Sequence, residues 1–144
     1  RVVVASNQSG LGRGLFDVAT LNAVHARMHK LLAGVGARVE AVFFCPHAPE
    51  DDCDCRKPAP GLFLQSARRL GVPLAQIVAV GDSVRDAQAA VAAGCEAHLV
   101  LTGQSAPYRL GGVPDGLPPG VAQHLDLNAF ADAVLAREAQ KALG

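Results

Sequence analysis

Val39-Glu40-Ala41-Val42-Phe43-Phe44 reads as an apolar β-strand, and it runs directly into Cys45-Pro46-His47 and then, beyond a short gap, Cys53-Asp54-Cys55-Arg56-Lys57-Pro58. Three thiols and one imidazole are thereby gathered in a loop at the end of a strand. Zinc takes four soft or borderline ligands in a closed tetrahedron, and Cys₃His is one of its structural sets. The spacing assigns Cys45, His47, Cys53 and Cys55 to one zinc ion. The gap holds Pro49, Glu50, Asp51 and Asp52, a polar run suited to a surface loop that turns back on itself. The competing reading is a disulfide or unrelated thiols. A Cys-x-Cys disulfide is strained by its short ring, and nothing else in the chain suggests secretion. A structural zinc does no chemistry by itself; its effect is to shape a loop that ends in Arg56-Lys57.

Working outward from this loop, strands and helices alternate. Residues 1–5 include three consecutive valines and read as a strand buried on both faces, followed by a polar, Gly-rich loop from Ser6 to Gly14. Asp17 is an N-cap for a helix whose Leu21, Val24, Met28, Leu31, Leu32 and Val35 recur at helical spacing, with Gly34 and Gly36 at its end. Pro60 opens a second helix with Leu62, Phe63, Ala67 and Leu70 on one side, stopped by Gly71. Strands follow at Ile77 to Val80 and Ala97 to Leu101, separated by a helix from Val84 to Ala93. Gly103 to Gly120 reads as loop and Leu127 to Leu143 as a last helix. This alternation predicts a parallel α/β sheet covered on both faces. Ligands of such sheets bind beyond the C-terminal strand ends.

The chain has 144 residues, half of them apolar, which is enough for one domain with a real core. Thirteen basic and 13 acidic side chains cancel, so no electrostatic footprint for nucleic acid is present. No apolar run approaches the roughly 18 residues of a membrane span, and no signal peptide is visible. Cys95 is left outside the zinc set and reads as a small buried hydrophobe. These features fit a soluble, cytoplasmic protein with no membrane or nucleic-acid partner, and a monomer is expected. The chain opens on Arg1-Val2-Val3-Val4-Ala5, already within an apolar strand and without an initiator Met, and so reads as a fragment or as a chain that has lost an N-terminal segment.

Three polar clusters fall at predicted strand ends: Ser6-Asn7-Gln8-Ser9, the loop ending in Arg56-Lys57, and Gly81-Asp82. A hydroxyl and amides offer donors to an anion, Lys57 adds a fixed positive charge, and Asp82 supplies a hard oxygen for Mg²⁺. Together these are the parts that phosphoryl transfer needs, because charge spreads over the equatorial oxygens in its transition state. Each also has a plain structural reading: a loop serine, a solvated lysine, and a Gly-Asp turn that caps a helix. Asp86 falls in that helix's first turn, where it also suits the helix dipole.

Val3-Val4-Ala5-Ser6-Asn7-Gln8-Ser9-Gly10, the Cys45 to Pro58 loop and Val80-Gly81-Asp82-Ser83-Val84-Arg85-Asp86 resemble the haloacid-dehalogenase-like phosphatases, in particular the branch acting on heptose bisphosphate. The resemblance implies a Rossmannoid three-layer α/β fold with a parallel sheet and a zinc-binding loop insert. Residues 1–144 would form a single, partial domain whose first strand is missing. It also implies Mg²⁺-dependent removal of the 7-phosphate of D-glycero-D-manno-heptose 1,7-bisphosphate, a step toward ADP-heptose for lipopolysaccharide. Carried over by position, Ser6 binds the transferring phosphoryl group and Asn7, Gln8 and Ser9 line the substrate. Arg56 recognises substrate phosphate, Lys57 steadies the phosphoryl group, Asp82 holds Mg²⁺ and Asp86 positions nearby groups. Ser83 stands where the family often has Lys.

One absence sets the chain apart. The family attacks phosphate with an aspartate of an Asp-x-Asp-Gly motif after its first strand, and no such motif occurs here; the first aspartate is Asp17. Asp52-Cys53-Asp54 matches Asp-x-Asp only by letter, since it lies between zinc ligands and follows no strand. The residues shown therefore supply no nucleophile, and the chain alone is expected to be inactive. A histidinol-phosphate phosphatase is the nearest alternative, although that branch usually reads Asn-Gln-Asp-Gly where this chain has Asn7-Gln8-Ser9-Gly10. A zinc-stabilised binding module without catalytic use of the site is the other.

Overall fold

The computed structural model describes residues 1–144, which divide into two compact units, Arg1–Gly71 and Val72–Gly144. In the first, β1 (Val3–Asn7) pairs in parallel with β2 (Ala41–Cys45), placing Ser6 opposite Phe44 and Asn7 opposite Cys45. Ser6 and Asn7 are thus the last residues of the strand rather than the start of a loop. A single turn, α1 (Ser9–Gly12), follows where the sequence suggested irregular chain. Asp17 caps α2 (Val18–Ala33), accepting from the Thr20 N–H at 2.8 Å. Only Leu21 of that helix is buried; Val24, Leu31 and Val35 of the anticipated apolar stripe are exposed. The helix that does cover this sheet is α3 (Gly61–Leu70), which contacts both strands and buries Leu62, Phe63 and Ala67. Its amphipathic period is sharp and its end is set by Gly71 at φ +67°, a left-handed conformation that favours glycine.

In the second unit, β3 (Val78–Gly81), β4 (Glu96–Val100) and β5 (Ala122–His124) form a parallel sheet with β4 at its centre. The short strand β5 was not anticipated. Strands therefore pair in two sheets, β1-β2 and β3-β4-β5, rather than one. Between β3 and β4 runs α4 (Val84–Ala93), with a reciprocal capping box of Ser83 and Asp86 at its start and Gly94 at φ +87° at its end. Gly103–Tyr108 is a 3-10 helix within the anticipated loop. Asp126 caps α5 (Leu127–Leu143), which packs on β4 and β5. No helix is long and apolar enough to cross a membrane.

A histidine pair fastens α5 to this sheet. His98, 8% exposed, lies 2.7 Å from Glu96 through Nε2 and 2.9 Å from His124 Nε2 through Nδ1. An ionised carboxylate only accepts, so His98 Nε2 carries the proton and Nδ1 accepts from His124. Phe130 of α5 meets both rings edge-on, and Arg137 of the same helix is paired with Glu96. Burial, reinforced by neighbouring His98, holds His124 below its ordinary value. The unfolded chain takes up that proton near about 6.5, the folded site only at lower pH. Folding is thus fully favoured above that range and weakens as pH falls below it. Following the histidine ring protons by NMR should show His124 titrating below the ordinary imidazole range; a normal or raised midpoint contradicts the arrangement.

Candidate active site and metal centre

The level ends of β1 and β2 position the polar residues of the first unit. Gln8 N–H donates to the Cys45 carbonyl at 2.8 Å, so the chain leaving β1 turns over the start of the cysteine loop. Within that loop, Asp51 accepts from the Ala48 N–H at 2.8 Å and returns its own N–H to the Ala48 carbonyl at 3.0 Å. This closed turn brings Cys53 and Cys55 back to Cys45 and His47. Cys45 Sγ lies 3.3 Å from His47 Nδ1 and 3.7 Å from Cys53 Sγ, and His47 Nδ1 lies 3.3 Å from Cys55 Sγ. All four ligand atoms fall within 4.8 Å of one another. A tetrahedral ion at ordinary zinc bond lengths sets its ligands about 3.5–3.8 Å apart, so the set fits such an ion.

Electrostatics point the same way. Burial pushes the Cys55 thiol up to about 12, with neighbouring Cys45 and Cys53 adding to it. Cys53 is held below the usual thiol range although burial opposes this, because the Arg56 N–H and the surrounding thiols donate to it. A thiol held as high as that of Cys55 gives up its proton only where a cation takes the proton's place. All four cysteines are free thiols, and the disulfide alternative finds no bond here. The cluster is also part of the core: Cys45 and Leu62 are wholly buried, with Cys55, Ala5 and Phe43 packed beside them. Sequence reasoning passed over Gly61, whose N–H donates to the Asp54 carbonyl at 2.9 Å. A Cβ there would lie 2.4 Å from that oxygen, so only glycine lets α3 press on the loop so closely.

Beyond the cluster, the loop is stitched to β1. Asn7 Oδ1 accepts from the Lys57 N–H at 3.0 Å and its Nδ2 donates to the Lys57 carbonyl at 3.2 Å. Asn7 thus holds the loop's main chain. The Lys57 ammonium donates to the Ala5 carbonyl at 2.7 Å, and Ser6 Oγ accepts from Gln8 Nε2 at 2.9 Å. Ser9 starts the α1 turn. Arg56 carries a buried Nη1 without a hydrogen-bond partner. A buried guanidinium nitrogen left bare is costly unless an anion supplies the missing oxygen. An apolar depression of about 600 Å³ beside the cluster is lined by Leu11, Phe16, Phe44, Pro46 and His47, and neither Ser6 nor Lys57 borders it.

In the second unit, Asp82 follows β3 directly. Its Oδ2 accepts from the Gln104 N–H at 2.9 Å. Asp86 accepts from the Ser83 N–H at 3.0 Å, and the Ser83 hydroxyl accepts from the Arg85 N–H at 3.3 Å. Ser83, standing where the family often has Lys, serves here as a helix cap. Magnesium is commonly held by only one or two carboxylates with waters and substrate phosphate, and Asp82 suits that role.

Residues 54–126 match the family model described as HAD-hydrolase-like. A D-glycero-beta-D-manno-heptose-1,7-bisphosphate 7-phosphatase of Bordetella bronchiseptica is 54% identical over 134 residues, which cover 93% of this chain and 73% of that protein. The chain belongs to the HAD-like hydrolases, in the branch of the heptose-bisphosphate 7-phosphatases. Another member of that branch, from Pseudomonas aeruginosa, is 47% identical over the same shares of both chains. Two solved structures share the HAD-like fold. The B. bronchiseptica D,D-heptose 1,7-bisphosphate phosphatase, complexed with magnesium and phosphate, superposes with a TM-score of 0.87 at 53% identity, covering 94% of this chain and 74% of that one. The Burkholderia thailandensis enzyme gives 0.71 at 47% identity over 94% of this chain and 75% of its own.

Proposed function

We propose that this HAD-like chain serves the Mg²⁺-dependent removal of the 7-phosphate from D-glycero-D-manno-heptose 1,7-bisphosphate, with residues 1–144 acting as one functional domain. The observation that carries this reading is the 54% identity across 93% of the chain to a phosphatase named for that reaction. The partnerless Nη1 of Arg56 supports a role in gripping substrate phosphate. Lys57 would stabilise charge on the phosphoryl oxygens, Ser6 would donate to one of them, and Gln8 and Ser9 would border the sugar. Asn7 would act through its grip on Lys57. Asp82 would hold Mg²⁺, which when bound neutralises phosphate charge, and Asp86 would fix the Gly81-Asp82-Ser83 turn. Cys45, His47, Cys53 and Cys55 would hold a structural zinc. Free thiols suit a cytoplasmic protein, and we place it there as a monomer.

Two measurements test this. In a chain extended ahead of Arg1 by a strand ending in Asp-x-Asp-Gly, heptose bisphosphate should be preferred over histidinol phosphate; the reverse preference moves the protein to the rival branch. In the same extended chain, Lys57→Ala is expected to lower kcat by about 10²–10³-fold, the loss typical of one preorganised donor to a transition-state oxygen. KM should change far less, because the ammonium matters most where phosphoryl charge redistributes. A change confined to KM would make Lys57 a binding residue only.

A further inference from the structure

The register of the second sheet sets Gly81 opposite Leu99, so the chain leaving β4 passes beside the chain leaving β3. Asp82 and the turn Thr102-Gly103-Gln104 meet there. Gly103 has φ +51°, and a Cβ at that position would lie 1.9 Å from Asp82 Oδ2 and 2.9 Å from its Cγ. The Gln104 N–H donates to the same Oδ2 at 2.9 Å. Thr102, the residue heading the 3-10 helix, makes no side-chain cap, so Asp82 takes that place from another strand. One oxygen is therefore fixed by a backbone donor, in a space that any side chain at position 103 would invade. The other oxygen makes no hydrogen bond within the protein.

We infer that Gly103 and the Gln104 amide are positioning elements for Asp82, holding one carboxylate oxygen so that the other faces a divalent cation. This rests on the reading of Asp82 as the Mg²⁺ ligand. A residue that orients a metal ligand typically alters affinity by about 10–100-fold when lost, so the consequence is measurable without turnover. The alternative is a purely structural one, in which Asp82 serves only to start the 3-10 helix. Sequence reading placed Gly103 only at the start of a loop, because its contact is with a residue at the end of the neighbouring strand rather than with its neighbours in the chain.

The test uses the 144-residue chain, Mn²⁺ as a paramagnetic probe, and amide line broadening by NMR. Wild type should show broadening at Asp82, Gly103 and Gln104 that Mg²⁺ reverses. Asp82→Asn keeps an acceptor for the Gln104 amide but loses the charge, and should abolish the effect. Gly103→Ala should weaken Mn²⁺ binding about tenfold while the rest of the spectrum is unchanged. If Gly103→Ala unfolds, Gly103→Asn carries the same test, since Asn tolerates positive φ while still crowding the carboxylate. A folded Gly103 variant with lower thermal stability but wild-type Mn²⁺ affinity overturns the inference and leaves the Asp82 reading standing. Absence of Asp82-dependent broadening in wild type overturns that reading, and this inference with it.

Discussion

Assayed with Mg²⁺ and heptose bisphosphate, the 144-residue chain is expected to show no measurable turnover, while the form extended by an Asp-x-Asp-Gly strand hydrolyses the substrate. The reason lies in what each polar group is placed to do. Ser6 Oγ accepts from Gln8 Nε2 and has no base beside it. The Lys57 ammonium is turned to a carbonyl. The first aspartate, Asp17, caps α2. None of these is an activated nucleophile. Removing the nucleophile from a hydrolase costs about a millionfold in turnover, leaving only what charge stabilisation and binding supply. Side-by-side assays decide it: robust Mg²⁺-dependent turnover by the short chain would sink the claim.

The second large effect concerns the metal. Elemental analysis should find one zinc per chain, and Cys53→Ser should abolish stoichiometric binding. Cys53 is only half-buried, so this substitution disturbs packing little and isolates the loss of a ligand. Structural zinc contributes about 10–16 kcal/mol to the folding of zinc-finger peptides. Here the ligands share a core with Leu62 and Phe43, so chelation should abolish cooperative melting of residues 1–71 and expose Arg56 and Lys57 to proteolysis. A metal-free chain with a Cys53–Cys55 or Cys45–Cys55 disulfide and unchanged melting would refute the zinc assignment.

What could be read from the amino acids was whatever depends on near neighbours. The bounds of α4 were legible because Asp86 and Gly94 are local signals at the start and end of a helix, whereas the caps Ser83 and Asp126 were passed over. The four cluster ligands were legible because their spacing alone implies a common centre. Strand β5 was not: Ala122-Gln123-His124 has no apolar alternation, and its identity comes from pairing with His98, Leu99 and Val100. The division of strands into two sheets escaped notice for the same reason. The exposed stripe of α2 shows the converse, a clear apolar period without burial to match. The grip of Asn7 on the main chain of Lys57 was not legible either, because the two lie fifty positions apart.

That partnership separates two kinds of constraint. Asn7 reads only the peptide group of residue 57 and is indifferent to the side chain that residue carries. The clamp on the main chain at this position is therefore separate from the ammonium's own bond to the Ala5 carbonyl. Exchanging the ammonium for another group alters the charge offered to a substrate while the supporting clamp stays in place. A change at Asn7 releases the clamp whatever side chain stands at 57. A change of side chain at position 57 thus gives up the ammonium's bond to the Ala5 carbonyl but keeps the clamp, whereas a change at position 7 gives up the clamp itself.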